Sequence, residues 1–161
     1  MTSPLACGSS LLYYSPMNDA SATDCPTSLA FQVLGAAHEV EARLESALDQ
    51  VGLSVAKFGV LARLVEAGEP VALGCLAERS SCVRSNMTQL VDRLEADRLV
   101  ERMNDPSDRR SVRASLTAAG RERHAEGVRI VEEAGRTIFA SLNDDERATL
   151  RRVLAQLGRN P

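Results

Sequence analysis

The sequence predicts a mainly α-helical chain with one small β-hairpin, its longest helices lying at the two ends. Three observations lead there. Apolar residues recur every three or four positions over long segments near both ends of the chain. The middle holds a short apolar-striped segment, a brief polar break and a longer striped segment. An alternating run then leads into a cluster of turn residues.

Taken in order, residues 1–27 sustain no period of 2 or 3.6 and read as a flexible arm able to lend a short segment to a partner subunit. From Leu29 the texture changes. Val33, Ala37, Val40, Leu44, Leu48 and Val51 form one apolar stripe, and Gly52 closes the helix. Ser54 is an N-cap for the next helix, which turns Leu61, Leu64 and Val65 to one face and ends at Gly68. Glu69-Pro70 reads as a turn. A short helix over 72–79 with Leu73 and Leu76 apolar is followed, after Ser80-Ser81, by a longer one over 83–97 carrying Met87, Leu90, Val91 and Leu94. Two such helices around a three- or four-residue turn make a helix-turn-helix.

Leu99 to Met103 alternates as a strand, residues 104–108 are turn formers, and 109–116 can return as a second strand. A helix-turn-helix followed by a hairpin is a winged helix. Thr117 then caps a helix running to about Ser141. Asn143 caps the last helix, where Glu146 completes a capping box and Leu150, Val153, Leu154 and Leu157 share a face. The terminal helices carry more apolar stripe than a small winged unit can cover. A second copy of the chain is the simplest cover, so a homodimer is expected. The regions are then 28–52 and 117–158 for dimerisation and 53–116 for the winged helix-turn-helix.

Charge points the same way. The chain is 44% hydrophobic and 25% charged, which suits a globular protein and excludes a wholly disordered one. No apolar run is long enough for a membrane span and no secretory signal opens the chain, so a cytoplasmic protein without a membrane partner is expected. Net charge is −3, and Lys57 is the only lysine. Between Arg79 and Arg113, however, eight arginines stand against six carboxylates. Elsewhere eleven basic residues stand against sixteen acidic ones. An acidic chain with one basic segment can meet nucleic acid only through that segment. The arginines in question are Arg84, Arg93, Arg109, Arg110 and Arg113, with an ordinary solvated surface as the alternative. Arg93 has a second alternative, an ion pair with Asp97 four residues on.

At this point the residues carry a resemblance. Leu76-Ala77-Glu78-Arg79, Leu90-Val91-Asp92-Arg93-Leu94-Glu95, Leu99-Val100-Glu101-Arg102, Asp105-Pro106-Ser107-Asp108-Arg109-Arg110 and Leu116-Thr117-Ala118-Ala119-Gly120 follow in the order and spacing of the MarR family of bacterial transcriptional regulators. The chain resembles that family over residues 30–158. The resemblance implies a dimeric winged-helix repressor or activator, of which a repressor is expected here, on pseudo-palindromic double-stranded DNA. It implies release by a small anionic or phenolic ligand, or by oxidation. It places Arg84, Ser85, Asn86, Thr88 and Gln89 toward the major groove, with Arg93 on the same helix. It also makes Asp108-Arg109-Arg110 the wing tip, with Arg110 entering the minor groove and Asp108 bracing the arginines. Arginine suits a narrow, electronegative minor groove.

The chain departs from the family pattern at four positions. Gln89 stands where many members have Arg, exchanging a bidentate guanine contact for one suited to adenine. Arg98 replaces the usual Gly after the recognition helix, at a cost of about 1 kcal/mol for a left-handed non-Gly residue. Ala72 and Val83 stand where Ser or Thr would cap the two helices.

Other candidates are weaker. Phe31, His38 and Phe58 could line a ligand pocket between the first helix and the winged region, core packing or plain exposure being the alternative. His38, Glu39, Glu41 and His124 imitate a metal set, but Glu39 and Glu41 point to different helix faces. No C-x-x-C occurs among Cys7, Cys25, Cys75 and Cys82, so no metal and no cofactor is expected. Cys82 reads as a small apolar residue and Cys75 as exposed. Where some family branches place a peroxide-sensing cysteine this chain has Ala30, which leaves a thiol-based redox regulator using Cys25 or Cys7 as the alternative function. A helical dimer adaptor that lost DNA binding is the third reading. No glycine-rich phosphate loop, nucleophile elbow or His-Glu metal motif occurs, so no enzymatic activity is expected.

Overall fold

The structure, a computed structural model, describes residues 26–80, 84–105 and 111–157. Its elements run α1 (Pro26–Asp49), α2 (Val55–Ala67), β1 (Val71–Ala72), α3 (Leu73–Arg79), α4 (Arg84–Ala96), β2 (Val100–Asn104), β3 (Val112–Leu116), α5 (Ala118–Ile138) and α6 (Asp144–Leu157). The strands make an antiparallel sheet in the order β1-β3-β2. Val100 pairs with Leu116, Asn104 with Val112 and Val71 with Ala114.

The helix ends follow the local chemistry. Ser54 Oγ accepts from the Lys57 N–H at 3.1 Å, and Thr117 Oγ1 accepts from the Gly120 N–H at 2.9 Å. At α6, Asn143 Oδ1 accepts from the Glu146 N–H at 3.0 Å while Glu146 Oε2 accepts from the Asn143 N–H at 2.8 Å, a reciprocal capping box. Gly68 ends α2 at φ 68°. Ala72, as its side chain requires, gives α3 no side-chain cap.

Several boundaries differ from the sequence reading. The first helix opens on Pro26, inside the segment read as an arm, because a first turn needs neither the N–H that proline lacks nor a φ it cannot adopt. The residues after Glu69-Pro70 are not only a turn: Val71 and Ala72 form β1, a strand made by pairing with β3 and without any period of its own. The returning strand begins at Val112 rather than Arg109, and α5 ends at Ile138 rather than Ser141.

The core lies between α2, α3, α4 and the sheet. Leu61, Leu76, Met87, Val91, Leu94 and Ala114 are wholly buried there, with Leu48 of α1 and Leu53 entering from one side. Gly120 makes the close approach that seats α5: a Cβ at that position would lie 1.9 Å from the Leu99 carbonyl oxygen. Arg98, just before Leu99, holds φ at 59°, the strained left-handed turn expected there because the resemblance puts Gly at this position. The Thr117 hydroxyl lies 2.8 Å from the carbonyl oxygen of Arg98 and 3.1 Å from that of Leu99.

The outer helices are built differently. No residue of α6 is buried. Leu29, Phe31, Leu34, Val153, Leu154 and Leu157 are all exposed, Phe31 to 67%. Large apolar side chains cost about 1.5–3 kcal/mol each when left in water instead of buried. Among the described residues no helix is long and apolar enough to cross a membrane.

Candidate nucleic-acid interface

Helix α4 divides its residues between two faces. Met87, Val91 and Leu94, at spacings of 4 and 3, point into the core. The opposite face is solvent-exposed and polar, with Ser85, Asn86, Thr88, Gln89 and Arg93. Arg84 is the first residue of the helix; its side chain lies outside the described residues. Hydroxyl, amide and guanidinium groups along one exposed helix face are what a base edge in a major groove requires.

The alternative ion pair for Arg93 does not form. The Asp97 N–H still bonds the Arg93 carbonyl at 3.0 Å, but the carboxylate turns to α2, where Lys57 Nζ takes Asp97 Oδ2 at 2.7 Å. Arg93 thus stays exposed on the face with Gln89.

The hairpin is anchored at its base. Arg113 Nε donates to Asp105 Oδ2 at 2.6 Å, and Arg113 Nη1 reaches the Pro70 carbonyl at 3.4 Å. Asp105 is 7% exposed, and its N–H donates to Ser111 O at 3.0 Å, closing the hairpin just before its tip. Arg113 is therefore committed to the strand ends rather than to the basic surface it was grouped with. Asp108, Arg109 and Arg110, the wing-tip residues of the sequence reading, lie outside the described residues, as do Cys7, Cys25 and Cys82. Cys75 is exposed.

The three ligand-pocket candidates are not brought together. Phe31 and His38 are exposed on α1. Phe58 stacks on His124 of α5 with ring centroids 5.4 Å apart and planes 6° from parallel, and packs where a Cβ on Gly127 would come within 2.7 Å of its ring. Burial against α2 lowers the His124 pKa below its ordinary value. Among the described residues no three His, Cys, Asp or Glu side chains group as metal ligands, and Glu39 pairs with Arg43 at 2.9 Å on α1. Sequence reasoning missed the open groove of about 470 Å³ between the end of α2, the sheet and α5, where Leu64, Val65 and Leu116 face Arg121 and His124. Nothing local signals it, because its walls lie far apart in the chain.

Residues 53–112 match the model of the MarR family. The chain is 34% identical to the uncharacterized HTH-type transcriptional regulator YsmB of Bacillus subtilis over 110 residues, covering 68% of this chain and 75% of the relative. It is 32% identical to the HTH-type transcriptional regulator PecS of Dickeya dadantii over 134 residues, covering 78% and 79%. Among solved structures, a MarR-family transcriptional regulator from a Rhodococcus species superposes with a TM-score of 0.77 at 25% identity, over 85% of this chain and 97% of that one. A mutant Escherichia coli MarR complexed with operator DNA shares the fold, with a TM-score of 0.74 at 24% identity over 81% and 93%.

Proposed function

Since the chain belongs to the MarR family of helix-turn-helix transcriptional regulators, we propose that it is a homodimeric repressor of pseudo-palindromic double-stranded DNA, released by a small anionic or phenolic effector. The observation that carries this reading is α4, fully buried along Met87, Val91 and Leu94 and fully polar along Ser85, Asn86, Gln89 and Arg93. A helix held so firmly on one side presents the other as a rigid reading head. Residues 53–116 carry the DNA contacts, and Arg110 enters the minor groove beside Asp108 and Arg109. The exposed apolar faces of α1 and α6 support residues 28–52 and 117–158 as the dimerisation region. Two recognition helices then meet successive major grooves, with half-site centres about 34–36 Å apart. The groove beside His124, apolar along Leu64 and Leu116 with Arg121 and Glu69 as its charged groups, has a size that suits a small aromatic effector. The protein works in the cytoplasm, where its DNA is.

The test is a salt titration of wild type, Gln89→Ala and Arg110→Ala on DNA selected by the wild-type protein. Gln89→Ala should relax preference at one position of each half-site by about 1–3 kcal/mol. Arg110→Ala should weaken binding to every sequence and flatten the salt dependence by about one ion per subunit. Unchanged affinity and slope in Arg110→Ala would remove the wing from the groove.

A further inference from the structure

Arg102 of β2 makes a set of contacts for which the hairpin alone has no use. Its side chain, 25% exposed, crosses to α4 instead of solvent. Nη2 lies 2.5 Å from Asp92 Oδ1 and donates to the Thr88 carbonyl at 3.0 Å. Nε sits 3.5 Å from Glu95 Oε2, an ionic contact without hydrogen-bond alignment. The backbone N–H of Arg102 donates to the other oxygen of Glu95 at 3.3 Å. Thr88, Asp92 and Glu95 are spaced by 4 and 3, so one guanidinium grips a single stripe of α4 across two turns.

We propose that Arg102 is a positioning residue for sequence recognition: by holding Thr88, Asp92 and Glu95 it sets the roll of the recognition helix relative to the wing. This inference rests on the DNA-binding reading above. Gln89 is the next residue after Thr88, on the adjacent strip of the same helix. With side chains reaching about 5–6 Å from a helix axis, a 10° roll displaces their outer atoms by about 1 Å. A bidentate contact to a base tolerates only a few tenths of an ångström in donor–acceptor distance. Contacts to phosphates by flexible arginines are far less sensitive to such a roll. Apolar packing of Met87, Val91 and Leu94 seats the buried side of α4, and the Arg102 contacts add a directional restraint on its exposed side. A planar fork meeting two carboxylates and a carbonyl is directional, and a lysine cannot reproduce it. Arg102 also offsets one of the two negative charges of Asp92 and Glu95 on a helix that must approach phosphate.

The experiment separates geometry from charge. Wild-type protein first selects duplexes from a random pool; R102K, R102Q and D92N are then compared with it on the selected duplex and on base-substituted duplexes at several salt concentrations. R102K keeps the charge and loses the fork. It is expected to remain a folded dimer with wild-type affinity for substituted DNA and an unchanged salt slope, while its preference for the selected duplex falls about 5- to 100-fold, the worth of one bidentate base contact. D92N, which leaves Arg102 bound to Glu95 and Thr88, should lose a smaller part of that preference and keeps the test decisive if R102Q does not fold. R102Q, if folded, should lose preference and weaken on all DNA. A wild-type preference ratio in R102K and D92N, or an equal fall on selected and substituted DNA, would overturn the inference. Failure of the wild type to enrich any sequence would overturn the DNA-binding reading itself.

Discussion

Gly120→Ala tests how α5 is seated on the winged region. The added methyl would lie 1.9 Å from the Leu99 carbonyl oxygen and 2.9 Å from Leu116 Cδ2, so backbone must move by about an ångström. Leu99 O is no free atom. It accepts from the Thr117 N–H at 3.2 Å and lies 3.1 Å from the Thr117 hydroxyl, which caps α5. Overpacking costs about 1–3 kcal/mol or more, and a disturbed cap about 0.5–2 kcal/mol. Against these, Ala is favoured over Gly inside a helix by about 1 kcal/mol. The net expectation is destabilisation by about 0.5–4 kcal/mol, a Tm lower by roughly 1–15 °C for a chain of this size. Thermal unfolding by circular dichroism at fixed protein concentration reads it. Gly59→Ala on α2, where a Cβ meets nothing within 4 Å, is the control and should stabilise by about 0.5–1 kcal/mol. If Gly120→Ala melts at or above the wild-type temperature, the α5 junction is not seated as described.

Replacing Leu154 and Leu157, both more than half exposed, with glutamate should give monomers by light scattering while the winged core stays folded, as shown by its retained far-ultraviolet spectrum. His124 should make stability pH-dependent: its folded pKa lies below the unfolded value near 6.5, so the unfolded chain binds more protons between the two. Stability is therefore full above about pH 6.5 and declines as pH falls toward the folded pKa, and His124→Phe, which keeps the stack on Phe58, should remove that part of the slope in urea titrations. Asp105→Ala strips Arg113 of its closest partner at the hairpin base and should cost about 1–3 kcal/mol, toward the lower end because the Arg113 side chain is 34% exposed, measured by chemical denaturation.

What could be read from the sequence was what is local in it. Ser54, Thr117 and the Asn143–Glu146 box cap helices because a cap needs only a side chain and N–H groups two or three residues on. The stripe of Met87, Val91 and Leu94 fixes the buried face of α4, and with it the exposed face that carries Gln89. Arg98 holds a left-handed turn that its own identity disfavours, and only the resemblance, which puts Gly there, pointed to it. The rest depends on partners far away in the chain. Two residues cannot show a period, so β1 exists only through its pairing with β3. Asp97 finds Lys57 forty positions back, and Arg102 finds Thr88, Asp92 and Glu95 on the preceding helix. The Phe58–His124 stack joins α2 to α5, while Phe31 and His38 lie exposed on α1.

In the proposed function two copies of α4, held at a fixed separation by the terminal helices, read one duplex together. A hydroxyl-radical footprint on DNA selected by the wild-type protein, with the number of bound chains counted by light scattering of the complex, tests it most directly. Two protected half-sites on one face of the duplex, centred about ten base pairs apart and bound by two chains, is the expected result. One isolated half-site protected by a single chain would contradict it.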